Sequence, residues 1–226
     1  MELRKALEMS FKKNKYSIAR KVISKDLAQF CFNYLLLSKT VCQVLRDKKQ
    51  ISQFDKTWGV FNDAQVDGTW SKYGDIAMET LLLKLLPVME KETGLKLIPT
   101  YAYTRFYKNG DELKRHKDRP SCEISTTLFL GGDEWPIFLS PNENVGDPRS
   151  GAKWASDAKG MAVNLKQGDM LIYDGVQLEH WREKFNGDEC AQVFLHYNRD
   201  TAENKIREND TRPCLGTPDY MKLPNI

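Results

Sequence analysis

The chain has 226 residues, 41% of them hydrophobic and 29% charged, with a formal charge of only +3, the balance of a globular protein with one sizeable domain. No apolar run reaches the ~20 residues of a membrane-spanning helix, the N-terminus lacks an apolar leader core, and beyond Lys12-Lys13-Asn14-Lys15 no basic block calls for nucleic acid. The five cysteines (Cys31, Cys42, Cys122, Cys190, Cys214) are odd in number and include no CxxC pair, which argues against a disulfide framework or structural zinc and for reduced thiols in a cytoplasmic protein.

From the N-terminus, Tyr16 to Ile23 alternates loosely and predicts a short opening strand. Ser24 follows as a helix N-cap, with Asp26 in the first turn. Apolar residues then recur at helical spacing from Lys25 to about Lys48. The polar stretch from Gln50 to Tyr73, with scattered aromatics, is long for a loop in a compact domain; it either covers a substrate groove or is a plain surface excursion. A second helix is expected from about Tyr73 to Thr93, bent near Pro87 and stopped by Gly94.

After Gly94 the pattern changes to strands: Leu97 to Tyr107, Cys122 to Leu130, Trp135 to Leu139, Met161 to Leu165, Asp169 to Tyr173, Leu178 to Phe185 and Cys190 to Asn198. Short strands with glycine-bearing turns indicate an all-β barrel or a double-sheet jelly roll. The organisation expected is a helical support region over residues 1–96, a β core over 97–199, and an irregular surface tail over 200–226, all in one domain.

His116-Lys117-Asp118 stands between the first two of these strands. On extended backbone, side chains two apart leave the same face, so an imidazole and a carboxylate at this spacing converge on one point. A second histidine from a distant strand completes a facial metal triad with open positions. Of the three histidines, His180 ends another apolar run about sixty residues downstream, and His196 reads as a core or pocket-lining residue.

The segment YTRFYKNGDELKRHKDRPSCEISTTLFL, with LKQGDMLIYDGVQLEHWREKF and CAQVFLHYN, resembles the Fe(II)/2-oxoglutarate-dependent dioxygenases, nearest their prolyl-hydroxylase-like branch. The resemblance covers about Leu97 to Asn198. It implies a mainly β fold, a double-stranded β-helix (jelly roll) packed against N-terminal α-helices. It also implies iron held by His116, Asp118 and His180, with 2-oxoglutarate and O₂ as cosubstrates and ascorbate as a candidate reductant. Tyr107 matches the branch's strand tyrosine that hydrogen-bonds the cosubstrate, and Ser125 or Thr127 is a weaker candidate for the same role.

One position departs from the pattern. The family places Arg or Lys about ten residues after the distal histidine to hold the far carboxylate of 2-oxoglutarate, whereas this chain has Glu189-Cys190-Ala191-Gln192. A buried carboxylate without a cation is costly. Arg182, two residues beyond His180 and on the same strand face, is the expected replacement because a guanidinium can grip a carboxylate in two places; Arg105, on the face of Tyr107, is the alternative. Arg119 is expected either in contact with substrate or in a surface salt bridge.

The activity implied is hydroxylation of an unactivated C–H bond, with succinate and CO₂ as co-products. A peptidyl, prolyl-like substrate is favoured over a small metabolite. A catalytically silent jelly-roll binding module, or a jelly-roll metalloenzyme that does not use 2-oxoglutarate, is the rival expectation.

Overall fold

A computed structural model describes residues 11–140 and 159–223 of the chain. After one helical turn, Phe11–Asn14, the chain forms β1 (Tyr16–Ala19) and helix α1 (Lys25–Asp47). The Ser24 hydroxyl accepts from the Leu27 N–H at 3.2 Å, the predicted cap. The long loop that follows ends in a strand that sequence periodicity did not reveal, β2 (Trp70–Tyr73). Helix α2 (Ile76–Thr93) therefore begins three residues later than expected. Asp75 caps it through the Ala77 and Met78 amides, it runs on through Pro87, and Gly94 closes it at φ 71°.

The strands that follow are β3 (Leu97–Lys108), β4 (Leu113–His116), β5 (Ile124–Gly132), β6 (Ile137–Ser140), β7 (Met161–Val163), β8 (Met170–Asp174), β9 (Glu179–Arg182) and β10 (Glu189–Arg199). They make two antiparallel sheets, ordered β1-β8-β5-β10-β3-β2 and β4-β9-β6-β7. This is the jelly roll expected from the sequence. Short β4 was hidden because His116 and its neighbours are polar.

Strand alternation divides the interior in two. Phe106, Leu128 and Val193 face α1 and α2 and pack with Phe32, Leu35, Leu82 and Leu85. The residues next to them, Tyr107, Phe129 and Phe194, face the smaller sheet and pack with Leu113, Ile137, Leu139 and Tyr173. The helices thus cover one face of the large sheet, leaving the space between the sheets for a site.

Most described residues of the tail are exposed or half-buried, but two polar ones go inside. Asp210 and Arg212 are 1% and 3% exposed. Arg212 reaches Glu79 of α2 at 2.6 Å, and Asp210 takes both Arg119 nitrogens at 2.7 and 2.6 Å. Pairing with charges far away in sequence lets these polar residues go inside. All five cysteines are free, with only Cys214 exposed. No helix among the described residues is long and apolar enough to cross a membrane.

Candidate active site

His116 and His180 are direct cross-strand partners on β4 and β9, so pairing alone brings their rings to 4.2 Å between centroids. Asp118 follows β4 at the i+2 position. Its N–H donates to the Gly175 carbonyl at 2.8 Å, which turns its side chain back toward the histidines. Asp118 Oδ1 lies 3.8 Å from His116 Nε2 and 3.5 Å from His180 Nε2. One donor atom from each residue falls within 4.8 Å of the others, and this is the only such His/Cys/Asp/Glu cluster among the described residues.

The surroundings fix how these groups face. Each histidine Nδ1 meets a main-chain carbonyl, Lys114 O at 2.8 Å and Leu178 O at 3.1 Å. A carbonyl only accepts, so each Nδ1 carries a proton and each ring turns its Nε2 toward the cluster. The Ser125 hydroxyl donates to Asp118 Oδ2 at 2.6 Å, leaving Oδ1 as the inward oxygen. Gly175 is required here: a Cβ would lie 2.4 Å from Asp118 Oδ2 and 2.7 Å from Ser125 Oγ. Burial, followed by the neighbouring His180, pulls the His116 pKa down to about 4. Asp118 lies well below the usual carboxylate range: burial opposes its charge, but the surrounding histidines outweigh that cost. The cluster therefore offers two imidazole Nε2 atoms and one carboxylate oxygen, the donor set that suits a divalent transition metal.

A cavity of about 250 Å³ opens over the cluster, with Tyr103, Arg105 and His196 among its walls. His196 stacks on Tyr101 at 4.5 Å and meets Ser125 Oγ through Nδ1 at 3.0 Å. It lies behind the cluster and is not a member of it.

The two candidate arginines have different partners. Arg105 borders the cavity, but Asp63 takes its Nε and Nη2 at 2.7 and 3.1 Å, and Gln65 takes Nη2 as well. Arg182, 1% exposed, lies one layer deeper, beyond the open cavity. It donates to the Trp135 carbonyl and, at 3.2 Å, to Thr127 Oγ1. Its Nε has no hydrogen-bond partner, and among the described residues no carboxylate pairs with it. Burial pushes its pKa down from the usual arginine range. A guanidinium taken out of water without an anion costs several kcal/mol.

The other sequence candidates divide between the two layers. Thr127 sits beside Arg182 and donates to Gln192 Oε1 at 3.0 Å. Tyr107 is fully buried in that deeper layer, edge-on to Trp135 at 5.0 Å, with its hydroxyl 3.5 Å from Arg105 Nη1. Ser125 serves the Asp118 side instead. Arg119 makes a salt bridge, but with buried Asp210, and its guanidinium lies 4.6 Å over the Tyr101 ring. Asp63 and Asp210 were not foreseen, because nothing local ties either to an arginine 42 or 91 residues away.

No protein-family model matches the chain, and no curated protein matches it in sequence. Solved structures match it in shape. A prolyl-4-hydroxylase from Pseudomonas putida has 15% identity and a TM-score of 0.51, over 84% of this chain and 96% of that one. The non-heme alpha ketoglutarate dependent epimerase SnoN from nogalamycin biosynthesis has 13% identity and a TM-score of 0.59, over 88% and 83%. HygX from Streptomyces hygroscopicus, solved with nickel and 2-oxoglutarate bound, has 13% identity and a TM-score of 0.55, over 87% of each chain. With its two antiparallel sheets and the helices that cover one of them, this chain has the jelly-roll fold that these proteins share.

Proposed function

We propose that the protein is an Fe(II)- and 2-oxoglutarate-dependent oxygenase that hydroxylates an unactivated C–H bond. The observation that carries this reading is the buried Arg182, without a carboxylate of its own, one strand step beyond His180. A site with three metal donors and an uncompensated cation behind them calls for a ligand with a chelating end and an anionic far end. 2-Oxoglutarate has both, and among proteins of the same fold SnoN is alpha ketoglutarate dependent and HygX was solved with 2-oxoglutarate bound.

In this reading His116, Asp118 and His180 hold the iron, and Arg182 with Thr127 and Tyr107 receives the far carboxylate. Charge balance favours Arg182 over Arg105, which Asp63 already neutralises. When bound, iron with 2-oxoglutarate and O₂ supplies oxidative decarboxylation of the oxo acid to succinate and CO₂, coupled to oxygen insertion into a substrate C–H bond; ascorbate serves as the reductant that keeps the iron ferrous. The chain's own contribution is orientation and dryness. The two Nδ1 contacts aim the imidazoles, Ser125 holds one carboxylate oxygen aside, and Leu113, Ile137 and Phe194 wall the cavity with hydrocarbon. A cavity of about 250 Å³ admits only a compact part of a substrate beside the cosubstrate. A peptidyl, prolyl-like residue meets that limit, with a small metabolite as the alternative. Five free thiols fit a reducing, cytoplasmic setting.

The test is anaerobic visible absorption with Fe(II), before and after 2-oxoglutarate. A charge-transfer band that requires both and is lost in His116→Ala is the expected result. Iron binding without the band would overturn the 2-oxoglutarate reading and leave another metalloenzyme or a binding module.

A further inference from the structure

A second space, a groove of about 960 Å³, lies between α1, the loop over residues 54–60, β2 and the tail over residues 216–220. Aromatic rings make much of it: Tyr34, Phe54, Trp58, Tyr73, Tyr103 and Tyr220. Phe54 and Tyr220 are 75% and 82% exposed and Trp58 is 38% exposed, so large apolar side chains meet water along the rim. Surface of this kind is usually covered in use.

Two features indicate what covers it. The first is an open sheet edge. Among the described residues β2 is the last strand of the large sheet, and its outer edge carries a single bridge in which the Ser71 and Val60 backbones exchange both hydrogen bonds. Strand alternation turns the Tyr73 N–H and C=O to that same edge, because Gly74, next along, donates inward to Ala102. The residue that would continue the bridge opposite Tyr73 is Trp58, but the loop has turned away and the Trp58 carbonyl accepts from the Trp70 indole at 3.0 Å instead. Among the described residues nothing takes the Tyr73 N–H or C=O. The second feature is charge balance. Lys56 pairs with Asp219 at 2.7 Å, Lys72 with Asp75 at 2.9 Å, and Asp55 accepts from the Thr57 amide. The groove therefore makes no demand for a charged ligand.

We infer that this groove docks an extended, uncharged polypeptide segment, whose backbone adds to the β2 edge at Tyr73 and whose alternate side chains settle among Phe54, Trp58 and Tyr220. Tyr103 belongs to the walls of both the groove and the cavity over His116, Asp118 and His180. The docked segment thus lies next to the candidate active site, and the inference deepens the oxygenase reading by naming a polypeptide as the substrate.

A random decapeptide library displayed on phage, panned on the full-length protein, tests this. Uncharged sequences with apolar residues at alternate positions are expected to enrich. Synthetic copies are expected to bind at least ten-fold more weakly to a Phe54→Glu/Tyr220→Glu variant, whose changes sit on exposed side chains and spare the fold. Methylating the backbone nitrogen that faces Tyr73 should weaken them similarly, while His116→Ala should not. The docking inference is overturned if no sequence enriches on the wild type over the double variant, or if binding ignores both the variant and the methyl group. The Fe(II)/2-oxoglutarate band, measured on the same preparation, keeps the two readings apart. A band without groove-dependent peptides removes the docking site alone. Groove-dependent peptides without a band uphold the docking site and remove the oxygenase.

Discussion

Arg182 and Arg212 are both buried guanidiniums, 1% and 3% exposed, with opposite surroundings. Arg212 has Glu79 at 2.6 Å and donates to the carbonyls of Asn209, Thr217 and Thr100, so its charge and nearly all its donors are met within the chain. Arg182 has one carbonyl, one hydroxyl, an idle Nε and no acid. A protein gains nothing in stability from a buried cation that it leaves unpaired. The contrast separates an arginine that ties the tail to the sheet and helix from one that, on the proposed reading, receives the far carboxylate of the cosubstrate.

The largest expected effect lies on the Arg212 side. Glu79→Gln should cost about 3–5 kcal/mol by leaving a buried cation unpaired, read as a lower urea midpoint. Arg182→Met in the metal-free protein should leave the midpoint within about 1 kcal/mol or raise it, since an apolar chain replaces an unpaired charge. Equal losses in the two variants would mean that the chain satisfies Arg182 by itself, and the contrast would collapse.

Arg182 should matter once the anion is present. Removing one partner of a buried charge pair costs about 2–5 kcal/mol in binding, so Arg182→Met should raise the 2-oxoglutarate needed for half the charge-transfer band by roughly 30-fold to several thousand-fold. Iron affinity should hold. Arg105→Met should show the reverse balance, a loss of stability from stranding Asp63 with a smaller change in the cosubstrate requirement. If Arg105→Met moves the requirement more than Arg182→Met does, Arg105 is the anion partner.

The two arginines also differ in how well the sequence announces them. Arg182 is readable because strand alternation carries it to the face of His180, and the H-x-D spacing is equally local. Helix α1, its Ser24 cap and most strands follow from periodicity in the same way. Arg212 is not readable, because its meaning depends on Glu79, 133 residues away, and a polar stretch with prolines and glycines resembles a surface tail. Asp63, which settles the state of Arg105, sits in a loop without periodicity. β2 is not legible as a strand because four residues, WSKY, are too few to show a period.

Asp210 allows a pH test of the tail. Burial would raise its pKa, but hydrogen bonds from Arg119 and the neighbouring charge hold it well below the ordinary carboxylate range. A depressed folded pKa means stability that is present above the unfolded value, ~3.9, and lost as the pH falls below it. Asp210→Asn should therefore cost roughly 1–3 kcal/mol at neutral pH, and the gap from wild type should narrow in acid. A gap that does not change with pH would show that Asp210 acts through packing rather than through its charge.

The smallest effect concerns the backbone between these charged residues. Asn209, Asp210 and Thr211 have φ values of 54°, 56° and 64°, a left-handed run. Asn and Asp tolerate that region, but a β-branched threonine does not. The conformation persists because both ends are fixed, Asp210 by Arg119, Tyr73 and Lys222, and Arg212 by Glu79. Thr211→Gly removes the Cβ conflict at the cost of a more flexible unfolded chain, so a gain of up to about 1 kcal/mol is expected in thermal unfolding. In the Glu79→Gln background one anchor is gone and the run can relax, so the gain should shrink. A full gain in both backgrounds would mean that the strain is local to Thr211 and that the buried Arg212 pair does not impose it.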